Sequence, residues 1–473
     1  MWNQSDQETK RSSPLRPRTR NELVGEFSMK RLTSRPSGHW CWTFGLAFAF
    51  LGFSACRKST PVDEVSIGES GVALQAREVP AIELAWPQWR GPDMDGRAGD
   101  ATPPTTWDQS TNIAWQADIP GRGHSSPIVI GDQVVLGTAD DAKQQQMLVS
   151  YDLGSGQEKW RRVIHEGNFP SAREVHHKAT NANGTPASDG RLIVTAFLNQ
   201  ERIFVTAVDL NGEVVWQTDV GAFASKFGYA PSPVLYQSFV ILAADSFGGG
   251  YLVALDLETG EIAWRRSRGD ASSYSSPMIA SVGGMDQLLI SGGDRVASYD
   301  PATGEPRWES SAIAEATCGT IVTSGDRIFA SGGYPDKQTA CFSATGEELW
   351  SDRTALYEPS MVTNGTSLFG VTDNGVAMCW SNEDGRVQWK ERLGSNFSGS
   401  PVLAGGNVYV SDLSGNHYVF SASGDDYQLI SKNRLGSDCY ASPAVLADSL
   451  LLRIGFGEGG SRKERLVKIT QRP

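Results

Sequence analysis

Ala254-Leu255-Asp256-Leu257-Glu258-Thr259-Gly260-Glu261-Ile262-Ala263-Trp264 reads as a strand, a tight Asp-x-x-Thr-Gly turn and a second strand that carries tryptophan. The pattern returns at Tyr151-Asp152 to Trp160, Val208-Asp209 to Trp216, Tyr299-Asp300 to Trp308, Phe342-Ser343 to Trp350 and Trp380-Ser381 to Trp389. In all six copies tryptophan lies four residues after the turn glycine. A seventh turn, Ser421-Ala422-Ser423-Gly424, lacks the tryptophan and continues Tyr427-Gln428-Leu429. The turn glycines 156, 212, 260, 304, 346, 385 and 424 are 56, 48, 44, 42, 39 and 39 residues apart. That spacing is the length of a four-stranded propeller blade.

A second marker opens the first strand of each repeat: Ser126-Pro127, Thr185-Pro186, Ser232-Pro233, Ser276-Pro277, Gly319-Thr320, Pro359-Ser360, Ser400-Pro401 and Ser442-Pro443. These are eight openings. After the last, the chain ends one strand short, and the missing strand is available at 112–118, which carries Trp115 but has no blade before it. The predicted fold is all-β, an eight-bladed β-propeller over 112–473 closed by its N-terminal strand, which leaves no open sheet edge at the seam. The repeated tryptophans read as interblade packing, and the small residues two places before each turn Asp or Ser, Cys341 and Cys379 among them, as their neighbours.

The Ala-x-Asp-x-x-Thr-Gly-x-x-x-Trp repeat resembles that of the pyrroloquinoline-quinone-type (quinoprotein-like) propellers. That family includes quinone-dependent alcohol dehydrogenases and the lipoprotein scaffold of outer-membrane barrel assembly. The lead-in Trp86-Pro87-Gln88-Trp89-Arg90-Gly91-Pro92, within 84–111, is similar to that of quinoprotein-like propellers common in planctomycete-type bacteria. The resemblance implies the fold, whereas one fold hosts many activities. Dehydrogenases of the family hold the quinone with a disulfide between adjacent cysteines and with calcium. No Cys-Cys pair occurs here, and no calcium ligands or catalytic aspartate can be matched, so neither cofactor nor metal is assigned.

Charge is uneven along the chain. Residues 1–56 carry eight Lys/Arg against four Asp/Glu, so the remainder stands at −16 where the whole chain is −12. An acidic domain without a basic stripe is a poor nucleic-acid binder. Met29-Lys30-Arg31 followed by the apolar run 42–53 and Ser54-Ala55-Cys56 has the form of a secretory signal, too short to span a bilayer. Its end resembles a bacterial lipobox with Phe53 where Leu is usual, which makes Cys56 the expected lipid anchor. Residues 1–28 read as an upstream extension from a mis-assigned start, 29–55 as the signal, and 56–83 as a flexible tether. Export permits disulfides, but Cys318, Cys341, Cys379 and Cys439 fall on strands or blades too far apart to pair, so four free thiols are expected.

Residues just before each first strand enter the central channel, and they read His124, Asn183, Tyr229, Tyr274, Cys318, Tyr357, Phe397 and Tyr440. An aromatic rim can grip a ligand or plug the channel. The longest interval adds His165, His176 and His177; His176 and His177 could share one ion only in a loop, since neighbours on a strand face opposite ways. A polar loop at the channel mouth is the simpler reading. Asp93-Met94-Asp95-Gly96 is a fragment of a calcium loop that lacks its downstream Glu.

These readings point to a membrane-tethered periplasmic scaffold, monomeric and non-enzymatic, that binds an envelope protein or extended peptide, with outer-membrane residence favoured because Arg57 rather than Asp follows the cysteine. The alternative is a pyrroloquinoline-quinone-dependent dehydrogenase. Each CH₂ of an acyl chain adds about 0.8 kcal/mol of membrane affinity, so Cys56→Ser is expected to release the protein from the membrane fraction. Unchanged fractionation of the variant would sink the lipid anchor.

Overall fold

The computed structural model describes residues 62–77, 81–270, 272–311, 315–334, 336–458 and 461–471. The signal segment and Cys56 lie outside the described residues. The rest forms eight antiparallel sheets of four strands, seven of them from consecutive chain: 128–166, 187–222, 234–269, 278–311, 322–352, 362–392 and 402–434, taken here as blades 1 to 7. Blade 8 is built from Ala444–Val445, Ser449–Glu458, Ser461–Thr470 and, as its outer strand, Ile113–Ile119. Trp115 pairs with Lys468 and Ala117 with Leu466, so the N-terminal strand closes the ring as the sequence predicts.

Tryptophan holds each blade to the next. The indole Nε1 of Trp115, Trp160, Trp216, Trp264, Trp308, Trp350 and Trp389 donates to a turn carbonyl of the following blade at 2.8–3.3 Å. In six of the seven the ring lies against the turn glycine, Trp389 at Gly424 being the exception. At Gly304, with φ +72°, an added Cβ would stand 2.5 Å from the Trp264 ring. The small residue in each copy is the cross-strand partner of the tryptophan, as Ala254 is of Trp264, Cys341 of Trp350 and Cys379 of Trp389.

Blade 7 departs from this pattern for a reason. Its outer strand has Ser431 opposite Val419, where other blades carry tryptophan. Blade 8 has no hairpin at the corresponding place, because its outer strand comes from the N-terminus, so there is no turn for an indole to cover. The lead-in fills the gap: Ser431 and Asn433 donate to the Thr105 carbonyl, Trp107 N–H donates to Asn433 Oδ1 at 3.0 Å, and the buried Trp107 ring packs 5.8 Å from His417.

A second ring of bonds runs around the axis through the opening markers. The amide of Ser126 donates to Thr185 Oγ1, Thr185 to Ser232, Ser232 to Ser276, Thr320 to Ser360, Ser360 to Ser400, Ser400 to Ser442 and Ser442 back to Ser126, all at 2.8–3.0 Å. Between Ser276 and Thr320 the ring is open; Thr320 Oγ1 accepts instead from Trp89 Nε1 at 2.9 Å.

Trp89 belongs to a hub that crosses one end of the channel and touches the innermost part of every blade. Trp86 pairs with Val129, Pro87 O accepts from Ser188, Gln88 Oε1 from Leu235, Met94 packs in one cluster with Met278, and Trp89 bonds Thr320. Arg90 Nη2 donates to Met361 O, Gly96 and Ala98 exchange backbone bonds with Leu403, and Thr102 N–H donates to Ala447 O. The Asp93–Gly96 fragment is a turn of this hub, and the Asp95 carboxylate is taken by Arg97.

The expected tether is docked over 62–77. Val65 exchanges two backbone bonds with Arg265 on the outer strand of blade 3, while Gln75 O accepts from the Ser238 amide and Gln75 N–H donates to Ser238 Oγ. Between them Ile67–Ser70 makes one helical turn with a Ser66/Glu69 capping box, while Ile67, Val72 and Leu74 cover apolar surface of blades 3 to 5. Burial of these apolar side chains offsets the entropy a free linker would keep.

Gly304→Ala is expected to cost more stability than Gly284→Ala. Both glycines have φ near +72°, worth about 1–2 kcal/mol of strain for any other residue, but a Cβ at Gly284 meets nothing within 4 Å. Urea unfolding midpoints that move equally in the two variants would show that tryptophan docking does not use the missing Cβ.

Candidate functional site

The channel is a funnel of about 1130 Å³ whose lining includes the Trp89 indole. Because the hub crosses this end of the channel and touches the inner part of all eight blades, it closes the cavity there. Of the candidate binding residues read from the sequence, His124, His176, Tyr274, Tyr357 and Tyr440 line it. Asn183 and Cys318 line it as well.

Tyr229, Phe397 and His177 do not. Tyr229 turns outward between blades 2 and 3, where its hydroxyl donates to Ala243 O at 3.0 Å and its ring meets Phe223 edge-on. Phe397 is fully buried, 5.9 Å from the Tyr418 ring. At these two places an apolar interblade slot accepts the ring, and burial outweighs exposure to the channel. His177 leans on His176 at 4.1 Å. His165 is remote from both, wedged between Phe197 and Phe204, and burial drives its pKa down to about 4. The histidines therefore do not converge, and among the described residues no cluster has the make-up of a metal site.

The loop after blade 1 reaches across the funnel. Lys178 Nζ lies 2.7 Å from Glu358 Oε1, and these residues come from opposite sides of the ring, between blades 1 and 2 and between blades 5 and 6. Burial works against the Lys178 charge, but the bond and attraction to Glu358 raise its pKa overall. Asp373 holds this corner from behind, its carboxylate accepting the amides of Tyr357 and Glu358 at 2.8 Å. Burial raises the Asp373 pKa, and those two amide bonds oppose the rise without cancelling it.

On the opposite wall His124 stacks flat on Tyr440, with centroids 4.5 Å apart and planes 3° from parallel. Arg122 and Arg462 approach the same tyrosine ring at 5.7 and 6.0 Å. Burial, then the charges of Arg122, Arg453 and Arg462, pushes the His124 pKa well below its ordinary value, so the imidazole is neutral near pH 7. Its Nε2 is buried without a hydrogen-bond partner. Nearer the mouth, Lys226 sits over the rings of Phe227 and Phe247 at 5.1 and 5.0 Å, and Phe227 approaches Tyr274 at 6.1 Å.

Sequence reasoning missed Trp89, the Lys178–Glu358 pair and Asp373. Trp89 lies within the 86–92 lead-in, yet its partner Thr320 is 231 residues away and nothing local signals it. The geometry offers aromatic faces and separated charges for binding. Burial pushes the Cys318 thiol far up, which leaves a poor nucleophile.

A model of the family described as outer membrane protein assembly factor BamB matches residues 144–391 and 335–435. A protein of that description from Burkholderia pseudomallei is 24% identical over 357 residues, covering 72% of this chain and 84% of the relative. Another from Yersinia pestis is 24% identical over 337 residues, with 67% and 79% covered. Among solved structures, BamB from Moraxella catarrhalis superposes with a TM-score of 0.55 at 16% identity, over 76% of this chain and 99% of that one. The quinohemoprotein alcohol dehydrogenase of Comamonas testosteroni gives 0.59 at 10% identity, over 81% and 80%. At such identities the solved structures share the fold.

A neutral buried histidine makes the fold sensitive to acid. The folded-state pKa of His124 lies well below 6.5, so its contribution is whole above pH 6.5 and is lost as pH falls below that value, by at most about 1.4 kcal/mol per pH unit. His124→Phe keeps the stack on Tyr440 and removes the titration. Its unfolding free energy, measured by urea at pH 7, 6 and 5, is expected to fall less steeply than that of the parent; parallel curves would refute the assignment.

Proposed function

Since the chain belongs to the outer membrane protein assembly factor BamB family, we propose that it serves as a non-enzymatic scaffold of the cell envelope, exported, tethered by a lipid on Cys56 with outer-membrane residence favoured, and binding another envelope protein or an extended peptide. The observation that carries the reading is the aromatic funnel, two of whose four acids are engaged within the protein: Glu358 by Lys178 and Asp373 by two amides. Such a cavity offers aromatic faces on which a chain is gripped.

The dehydrogenase alternative asks more of the same space. A quinone needs polar groups for its carboxylates, a cation on the reacting carbonyl and a base for the substrate proton. Cys318 is the one thiol among the described residues lining the funnel, so a disulfide of adjacent cysteines cannot be built there. The residues present do not fit the cofactor, and no chemical step is derived through it.

Affinity capture from detergent-solubilised envelope tests the scaffold reading. Components of the outer-membrane barrel assembly machinery are expected to co-purify at stoichiometric levels. Stoichiometric quinone with dye-linked alcohol oxidation would overturn it.

A further inference from the structure

The mouth of the funnel inverts the charge of the protein. Lys226, Lys337, Arg353, Lys390 and Arg392 line it, all exposed, and none has a carboxylate within ion-pair distance among the described residues. The acids on the same lining are Glu358 and Asp373, both engaged, together with Glu315 and Glu391. With the Lys178–Glu358 pair set aside, five cations thus face three carboxylates, Glu315, Asp373 and Glu391, in a chain whose formal charge is −12. Unpaired like charges held at one rim repel one another, and an anionic occupant relieves that repulsion.

Shape narrows the occupant. A cavity near 1130 Å³ exceeds the range of roughly 300–1,000 Å³ usual for small-molecule sites. Phe227, Tyr274 and Tyr357 offer apolar faces inside the cationic rim, as a peptide's side chains require and a bare phosphate does not. The hub at Trp89 closes the far end, so no chain can thread through. Whatever enters leaves by the same mouth, which fits a loop or a chain end.

We propose that the funnel receives the tip of an acidic polypeptide segment, a loop or chain end bearing carboxylates beside aromatic or aliphatic residues, with Arg353, Lys390 and Arg392 meeting its acids and the inner aromatics its apolar side chains. This names the partner chemistry of the site and rests on the scaffold reading above.

The test uses the mature protein and two fluorescein-labelled hexapeptides, Asp-Phe-Glu-Tyr-Asp-Leu and the same sequence with lysine at each acid. Anisotropy is expected to show saturable binding of the acidic peptide alone, weakened about tenfold or more between 50 and 500 mM NaCl. Lys390→Glu with Arg392→Glu is expected to weaken it by a further factor of about ten, with an unchanged thermal midpoint because both side chains are exposed; Arg353→Glu alone gives a second variant should the first fail to fold. Equal binding of the lysine peptide, no binding of either, or indifference to both variants would overturn the proposal. So would displacement of the peptide by phosphatidylglycerol vesicles that bind the funnel more tightly, because the occupant is then a membrane. Envelope capture by the variants separates the two readings. Retained assembly components with lost peptide binding place the scaffold contact elsewhere and defeat the funnel as its site, whereas peptide binding without any captured component leaves the funnel chemistry standing and defeats the scaffold.

Discussion

An indole lying flat on the next blade's turn glycine, with its N–H on that turn's carbonyl, is the contact on which the ring depends. The N–H bond recurs at seven of the eight junctions, and at six of them the ring also covers the turn glycine. A hydrogen bond of this kind contributes about 1 kcal/mol net, and an aromatic side chain packed at the junction several times that, so the docking sets which blades can be neighbours. It also dictates the residues around it. The turn needs glycine because a Cβ has no room under the ring, and the cross-strand partner must be small because the ring fills the space above it.

The eighth junction shows the rule by its exception. A ring closed by a strand from the far end of the chain has one blade without a hairpin at its rim, so an indole there would cover nothing. Ser431 replaces it, and Trp107 arrives from the lead-in to fill the cluster. The lead-in then continues the same task on the axis. It supplies hydrogen bonds to inner strands whose edges face one another across the channel, and at Thr320 it substitutes for the missing link in the hydroxyl ring. Closure and plugging are one solution to the problem of ending a circular array.

What could be read from the sequence follows from which interactions are local. The turn glycines and tryptophans lie four residues apart, so blade number, blade limits and the closing strand were all legible. The rim was legible in part. His124, Tyr274, Tyr357 and Tyr440 hold equivalent places and line the funnel, while Tyr229 and Phe397 hold the same places and turn into interblade slots, a choice made by Ala243 O and Tyr418 rather than by spacing. The hub and the docked 62–77 stretch were hidden because their partners are far along the chain. Val62, Ile67, Val72 and Leu74 follow no helical or strand period, although the Ser66–Glu69 capping box was a local sign of order.

The division of labour between the faces explains why so stiff a frame can carry different activities. Every residue that fixes the ring, from Trp264 and Gly304 to Ser126 and Thr185, sits in a sheet, a turn or the hydroxyl ring, whereas Lys178, Glu358, Tyr357 and Phe227 sit in loops above it. A substitution in those loops leaves the docking contacts untouched, so the mouth can change its chemistry without threatening the fold. The quinohemoprotein alcohol dehydrogenase and the assembly factor both superpose on this chain because the ring is common to them. The funnel is where they are free to differ, and here two of its four acids are spent on a lysine and two amides while five cations stay open. That distribution suits holding a chain, since a rim charge acts through attraction at a distance and an aromatic wall through contact, and neither requires a group to change its protonation state.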